Sequence, residues 1–251
     1  MNAERVKGRI RRGASLVPAL FTTGNLFLGF WSIVRSFSGQ HAEAAQCILG
    51  AGVLDALDGR IARLTGTTSE FGAELDSLSD VISFGVAPAV LAYSWGLSAA
   101  PRAGWLAAFL FVMCGALRLA RFNVQRHVVD SRFFVGLPIP LAAAPLATLV
   151  MFVPGPLNER WEALLVMALV VILGLLMVST LRYRSFKDID LRRRRSYVSL
   201  LGIALLFLLV ALHPEWVLLA GASGYAVSGP LAHALGLLLR RRGVTPPPAA
   251  A

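Results

Sequence analysis

The sequence predicts an all-α, polytopic integral membrane bundle of about eight transmembrane helices. Three observations predict it: a charge-poor composition, a series of long apolar runs, and bases gathered on alternate connections between those runs. Of 251 residues, 56% are hydrophobic and only 15% are charged, with a mean hydropathy of +0.67. Soluble domains carry roughly 25% charged residues, so lipid is the better-matched solvent. A net charge of +10 would suggest nucleic acid in a soluble chain. Here the bases flank apolar runs, where membrane lipids with anionic headgroups are the simpler partner. Aromatic stacking positions interleaved with the bases in the manner of nucleic-acid binders are not evident, so no nucleic-acid partner is expected. Cys47 and Cys114 lie in separate apolar stretches without a CxxC spacing and make no metal site.

The apolar runs place spans at about 17–37, 42–63, 71–95, 103–122, 137–153, 161–180, 197–212 and 216–239. The fifth and seventh are short, which leaves a count of six or seven open. Of the 24 Lys and Arg residues, 21 fall at the termini and on even-numbered connections, against Arg35, Arg102 and Arg160 on the other side. The positive-inside rule then puts both termini and the basic loops in the cytoplasm of a cell (inner) membrane. The chain divides into a basic N-terminal segment (1–16), a membrane core (17–190), a basic loop with two further helices (191–242) and a Pro/Ala-rich tail (243–251) expected to be disordered.

Against this background four carboxylates stand out. A carboxylate in a spanning helix costs about 2.5–3.5 kcal/mol on insertion scales, so it marks a functional site by default. Asp55 and Asp58 are three residues apart, Asp76 and Asp80 four, and both spacings put a pair on one helix face. The helix rise sets Asp55 and Asp58 about 8–12 Å in from the cytoplasmic end at Arg63, within reach of a soluble reactant and a lipid headgroup. Four ionised aspartates so close would repel, and a hard cation with oxygen ligands, Mg²⁺ or Mn²⁺, would neutralise them. Gly59 and Gly72 allow close approach of a bulky ligand, Ala62 lies one turn after Asp58, and Arg63 offers a donor fork suited to phosphate.

Residues 55–80, DALDGRIARLTGTTSEFGAELDSLSD, match D-x-x-D-G-x-x-A-R-x8-G-x-x-x-D-x-x-x-D at every defined position. The segment thereby resembles the CDP-alcohol phosphotransferase family. The resemblance implies a six-helix core that binds a CDP-linked substrate and divalent metal, and displacement of CMP by an alcohol. It implies that Asp55, Asp58 and Asp76 hold metal, and that Asp80 is a metal ligand, the general base, or both. It further implies that Asn25, Gly59, Ala62, Arg63 and Gly72 lie along the CDP-linked lipid.

The acceptor must be sought outside the signature. Pro18, Thr22 and Asn25 fit a P-x-x-x-T-x-x-N start of the first helix. Downstream stand Ser83-Phe84-Gly85-Val86-Ala87-Pro88, Arg118-Leu119-Ala120-Arg121-Phe122-Asn123, Gly136-Leu137-Pro138-Ile139-Pro140 and Tyr183-Arg184-Ser185-Phe186-Lys187. Together these are similar to membrane-embedded CDP-diacylglycerol–serine O-phosphatidyltransferases over about residues 15–190. That likeness implies CDP-diacylglycerol and L-serine as substrates and a homodimeric assembly. Arg118, Arg121, Asn123 and Lys187 are candidates for holding the serine carboxylate or a phosphate, or for facing headgroups. Two alternatives remain open: the same chemistry on glycerol 3-phosphate, inositol phosphate or choline, and a cation transporter built on the four carboxylates.

Overall fold

The computed structural model describes residues 3–66, 69–125, 133–184, 209, 212 and 214–241, with side chains for most residues from 19 onward. Helices make up nearly all of it: α1 (Ala3–Phe37), α2 (His41–Thr65), α3 (Glu70–Asp80), α4 (Ala87–Trp95), α5 (Pro101–Gln125), α6 (Ile139–Phe152), α7 (Arg160–Val178) and α8 (Pro214–Arg241). A π-helical turn, Val81–Val86, joins α3 to α4 into one continuous span. By length and composition Glu70–Trp95, Pro101–Val124 and Arg160–Val178 can cross a membrane, and α6 is a shorter apolar helix. Helices α1 and α2 are long enough, at 35 and 25 residues, but basic or acidic positions dilute their apolar character. The span expected at 197–212 lies outside the described residues, apart from 209 and 212.

Local sequence sets the helix ends. Gly66 takes the left-handed conformation (φ 62°) that closes α2, and the Ser69 hydroxyl accepts a hydrogen bond from the Gly72 N–H to open α3. Glu159 and Glu162 form a reciprocal capping box at the start of α7. α1 is helical from Ala3 onward, so the basic N-terminal stretch and the first span share one helix.

Packing is close because small residues line the contacts. α2 doubles back along α1 after the turn at Gly39 (φ 73°), burying Ala44, Ala45, Ile48 and Ala51. α5 lies against α7, α6 against α8, and α2 against α6. Phe84, Phe111, Leu146 and Met177 fill the centre. Dispersion between well-matched surfaces drives such packing in lipid, where no hydrophobic effect operates between helices. Exposed Phe109, Leu165 and Ile172 belong to the lipid side.

One element was not expected from the sequence. Phe133–Val135 pairs antiparallel with Arg182–Arg184, with Phe134 opposite Tyr183. Three-residue strands are too short to show a period-2 pattern. Gly136 follows at φ 80°, where its N–H donates to the Leu181 carbonyl and an added Cβ would run into the Met177 carbonyl oxygen. This ladder ties the end of α7 to the start of α6.

Candidate active site

The four aspartates arrive on two neighbouring helices and divide three to one. Carboxylate oxygens of Asp55, Asp76 and Asp80 lie within 4.8 Å of one another. Asp58 is buried nearby but engages α1 instead, accepting a 3.0 Å hydrogen bond from the Thr22 hydroxyl. The i, i+3 spacing offsets Asp58 by about 60° from Asp55 around α2, enough to aim the two at different neighbours.

Helix α1 supports the cluster from behind. Asn25 is fully buried, and its Nδ2 donates to Asp80 Oδ1 at 3.4 Å. The Ser83 hydroxyl donates to the Asn25 carbonyl at 3.0 Å and the Ser79 hydroxyl to the Thr22 carbonyl at 3.3 Å. α1 comes this near because of Gly29, where an added Cβ would lie 2.7 Å from Ser83 Cα. The π-helical turn starts immediately after Asp80. Pro88 explains it: the residue lacks an N–H and its ring crowds the carbonyl four residues back, so the ladder widens. The Ala87 N–H accordingly bonds to the Ile82 carbonyl, five residues back.

The remaining candidates are placed as follows. Arg118 is only 9% exposed, lies within electrostatic reach of Asp80, Asp55 and Tyr225, and its Nε has no hydrogen-bond partner among the described residues. Asn123 exchanges hydrogen bonds with Ser77, beside Asp76 in sequence, at 3.1 and 3.4 Å. Arg121 Nη2 donates instead to the Val178 carbonyl at the end of α7, at 3.1 Å. Gly59 and Ala62 are partly exposed on α2, and a Cβ on Gly72 would meet the Ser69 hydroxyl at 3.0 Å. The Arg63 side chain and all of Lys187 lie outside the described residues. Ser83 and Tyr183 fall in segments quoted from the sequence but without a role of their own, and Ser79 and Tyr225 fall in none. A serine or tyrosine in an apolar helix is common, and nothing local to these residues reveals a partner 43 to 58 residues away.

An all-oxygen donor set fits a hard divalent cation. Two unit charges 4 Å apart repel by about 4 kcal/mol at an effective dielectric of 20, so three carboxylates this close call for a positive charge among them. Arg118 supplies one nearby, and a divalent ion held by Asp55, Asp76 and Asp80 would supply more.

Apolar spanning helices around an acidic, oxygen-donor centre define the class: a membrane-embedded helical enzyme. A family model described as CDP-alcohol phosphatidyltransferase matches residues 15–178, and the chain belongs to that family. It is 41% identical over 198 residues to a CDP-diacylglycerol–serine O-phosphatidyltransferase of Helicobacter pylori, covering 76% of this chain and 81% of the relative. It is 42% identical over 136 residues to the protein of that name from Methanocaldococcus jannaschii, covering 54% and 61%. It is 39% identical over 169 residues to an archaetidylserine synthase of Methanothermobacter thermautotrophicus, covering 66% and 69%.

Proposed function

We propose that this protein transfers a phosphatidyl group from CDP-diacylglycerol to the hydroxyl of L-serine, giving phosphatidylserine and CMP. The observation that carries the reading is the convergence of Asp55, Asp76 and Asp80 within a chain of this family. Serine is favoured over glycerol 3-phosphate, inositol phosphate or choline because the bacterial and archaeal relatives all carry serine in their names while the lipid named differs.

Asp55, Asp76 and Asp80, with Asp58 beside them, would hold Mg²⁺ or Mn²⁺. When bound, the ion stabilises charge on the pyrophosphate and the departing CMP. Asn25 engages one oxygen of Asp80 and leaves the other to take the serine hydroxyl proton. The serine oxygen then bonds to the lipid-side phosphorus as the bond from that phosphorus to the CMP oxygen breaks. Arg118, nearly buried and close to the carboxylates, holds the serine carboxylate or a substrate phosphate, with Asn123, Arg121 and Lys187 further out. Asn25, Gly59, Ala62, Arg63 and Gly72 flank the cytidine end of the lipid. The excess of bases on alternate connections supports a cytoplasmic site in the inner membrane, about eight spans and both termini inside. The family resemblance supports a homodimer.

Purified protein in vesicles containing CDP-diacylglycerol, offered labelled serine, glycerol 3-phosphate or inositol phosphate, tests the reading. Phosphatidylserine with equimolar CMP is expected, abolished by chelator and restored by Mg²⁺ or Mn²⁺. Product from either phosphate ester and none from serine would overturn the acceptor, and turnover indifferent to chelator would overturn the metal.

A further inference from the structure

Helix α1 packs along α3 and the π-helical turn, and two serine hydroxyls fix where along its axis it sits. The Ser79 hydroxyl donates to the Thr22 carbonyl at 3.3 Å, and the Ser83 hydroxyl to the Asn25 carbonyl at 3.0 Å. The same two α1 residues reach the carboxylates with their side chains. Thr22 donates its hydroxyl to Asp58 at 3.0 Å, and Asn25 donates from Nδ2 to Asp80 at 3.4 Å. Each is therefore gripped at its carbonyl by a serine while its side chain touches an aspartate. Ser79, Ser83, Thr22 and Asn25 are all buried. Gly29 lets the backbones meet, since a Cβ there would lie 2.7 Å from Ser83 Cα. The Asn25 contact is the sensitive one: at 3.4 Å it is near the limit for an N–H···O bond, and a few tenths of an ångström more would break it. Asn25 Oδ1 is buried with no hydrogen-bond partner among the described residues, so the amide is placed by its own backbone rather than by a second side-chain bond.

We infer that Ser79 and Ser83 are positioning residues for the metal-binding carboxylates: by latching the α1 backbone they hold Thr22 against Asp58 and Asn25 against Asp80, and so set the affinity for a divalent ion. This rests on the divalent-ion site proposed above. Groups that hydrogen-bond to a metal-binding carboxylate fix its orientation, and their loss costs roughly ten- to a hundredfold in metal affinity. The two serines act one contact further out, through a backbone, so a smaller loss follows. Serines that only packed the helices together would destabilise the fold without changing the affinity of the molecules that remain folded.

The test is Mn²⁺ titration of the purified full chain without substrate, with free Mn²⁺ read by electron paramagnetic resonance and thermal unfolding followed alongside. Ser83→Ala is expected to raise the Mn²⁺ dissociation constant roughly five- to tenfold and Ser79→Ala roughly threefold, below the loss for a direct partner. Ser79→Thr keeps the hydroxyl and is expected to recover the parent affinity. Ser94→Ala is the control, because that hydroxyl bonds within its own helix to the Leu91 carbonyl, and it is expected to bind Mn²⁺ as the parent does. If Ser83→Ala does not survive extraction, Ser79→Ala and its threonine rescue carry the test. A lowered unfolding temperature with unchanged Mn²⁺ affinity in the alanine variants, or an equal loss of affinity in Ser94→Ala, would overturn the inference. A parent that binds Mn²⁺ no better than its serine variants overturns the inference alone. A parent that binds no Mn²⁺ overturns the metal site and the inference with it.

Discussion

Asp80 and Asp58 belong to one sequence pattern but meet different neighbours, and the difference has consequences. Asp80 sits in the cluster with Asp55 and Asp76 and is touched by Asn25. Asp80→Asn keeps the shape and removes both the charge and the proton acceptor. CMP release is expected to fall at least about a hundredfold, within the range for loss of a general base. Retained turnover would remove Asp80 from that role. Asp58 is oriented by Thr22 at 3.0 Å. A hydrogen bond to a charged group contributes about 1.5–3 kcal/mol, so Thr22→Val is expected to lower kcat/KM for CDP-diacylglycerol by roughly ten- to a hundredfold, with Thr22→Ser recovering most of it. The aspartates were legible in the sequence because a carboxylate in an apolar run is conspicuous. Their division into three and one was not, since it depends on how far α1 is rotated about its own axis.

Among the elements, the π-helical turn after Asp80 decides the most. It lets Glu70–Trp95 run as one span while Asp76 and Asp80 keep a different helical phase from α4. One residue of phase is about 100° of rotation. Pro88→Ala restores an N–H and allows the ladder to close, turning the carboxylates relative to α4. Activity is expected to fall about tenfold or more while far-UV circular dichroism is unchanged. Full activity would show that the turn does not set the site. Pro88 was visible in the sequence as part of Ser83-Phe84-Gly85-Val86-Ala87-Pro88, but whether a proline kinks, ends or widens a helix is settled by what packs against it. The ladder between Phe133–Val135 and Arg182–Arg184 was invisible for a related reason: its partners are far apart along the chain and each strand is three residues long.

For the whole molecule, the split of bases predicts a topology that labelling checks. With Cys47 and Cys114 replaced, Ser38→Cys and Asn158→Cys lie in exposed turns on the side of Arg35, Arg102 and Arg160. Both are expected to react with an impermeant maleimide added outside intact cells. Glu70→Cys, exposed at the start of α3, is expected to react only after permeabilisation. The reverse pattern would invert the protein and put the carboxylates on the wrong side for CMP release into the cytoplasm.

Lipid as the solvent, the helical class and the acidic, oxygen-donor character of the centre can all be read along the chain alone. Hydropathy, charge and carboxylate spacing are local properties, and the eight defined residues of the signature fall within the single stretch from Asp55 to Asp80. Which side chains meet around the carboxylates depends on the tertiary structure: Asn25 on Asp80, Thr22 on Asp58, and Arg118 within electrostatic reach of Asp80 and Asp55. These contacts join residues on different helices. Their distances follow from crossing angles and axial rotations set by small-residue packing at positions such as Gly29 and Gly229, which no pattern along a single helix encodes.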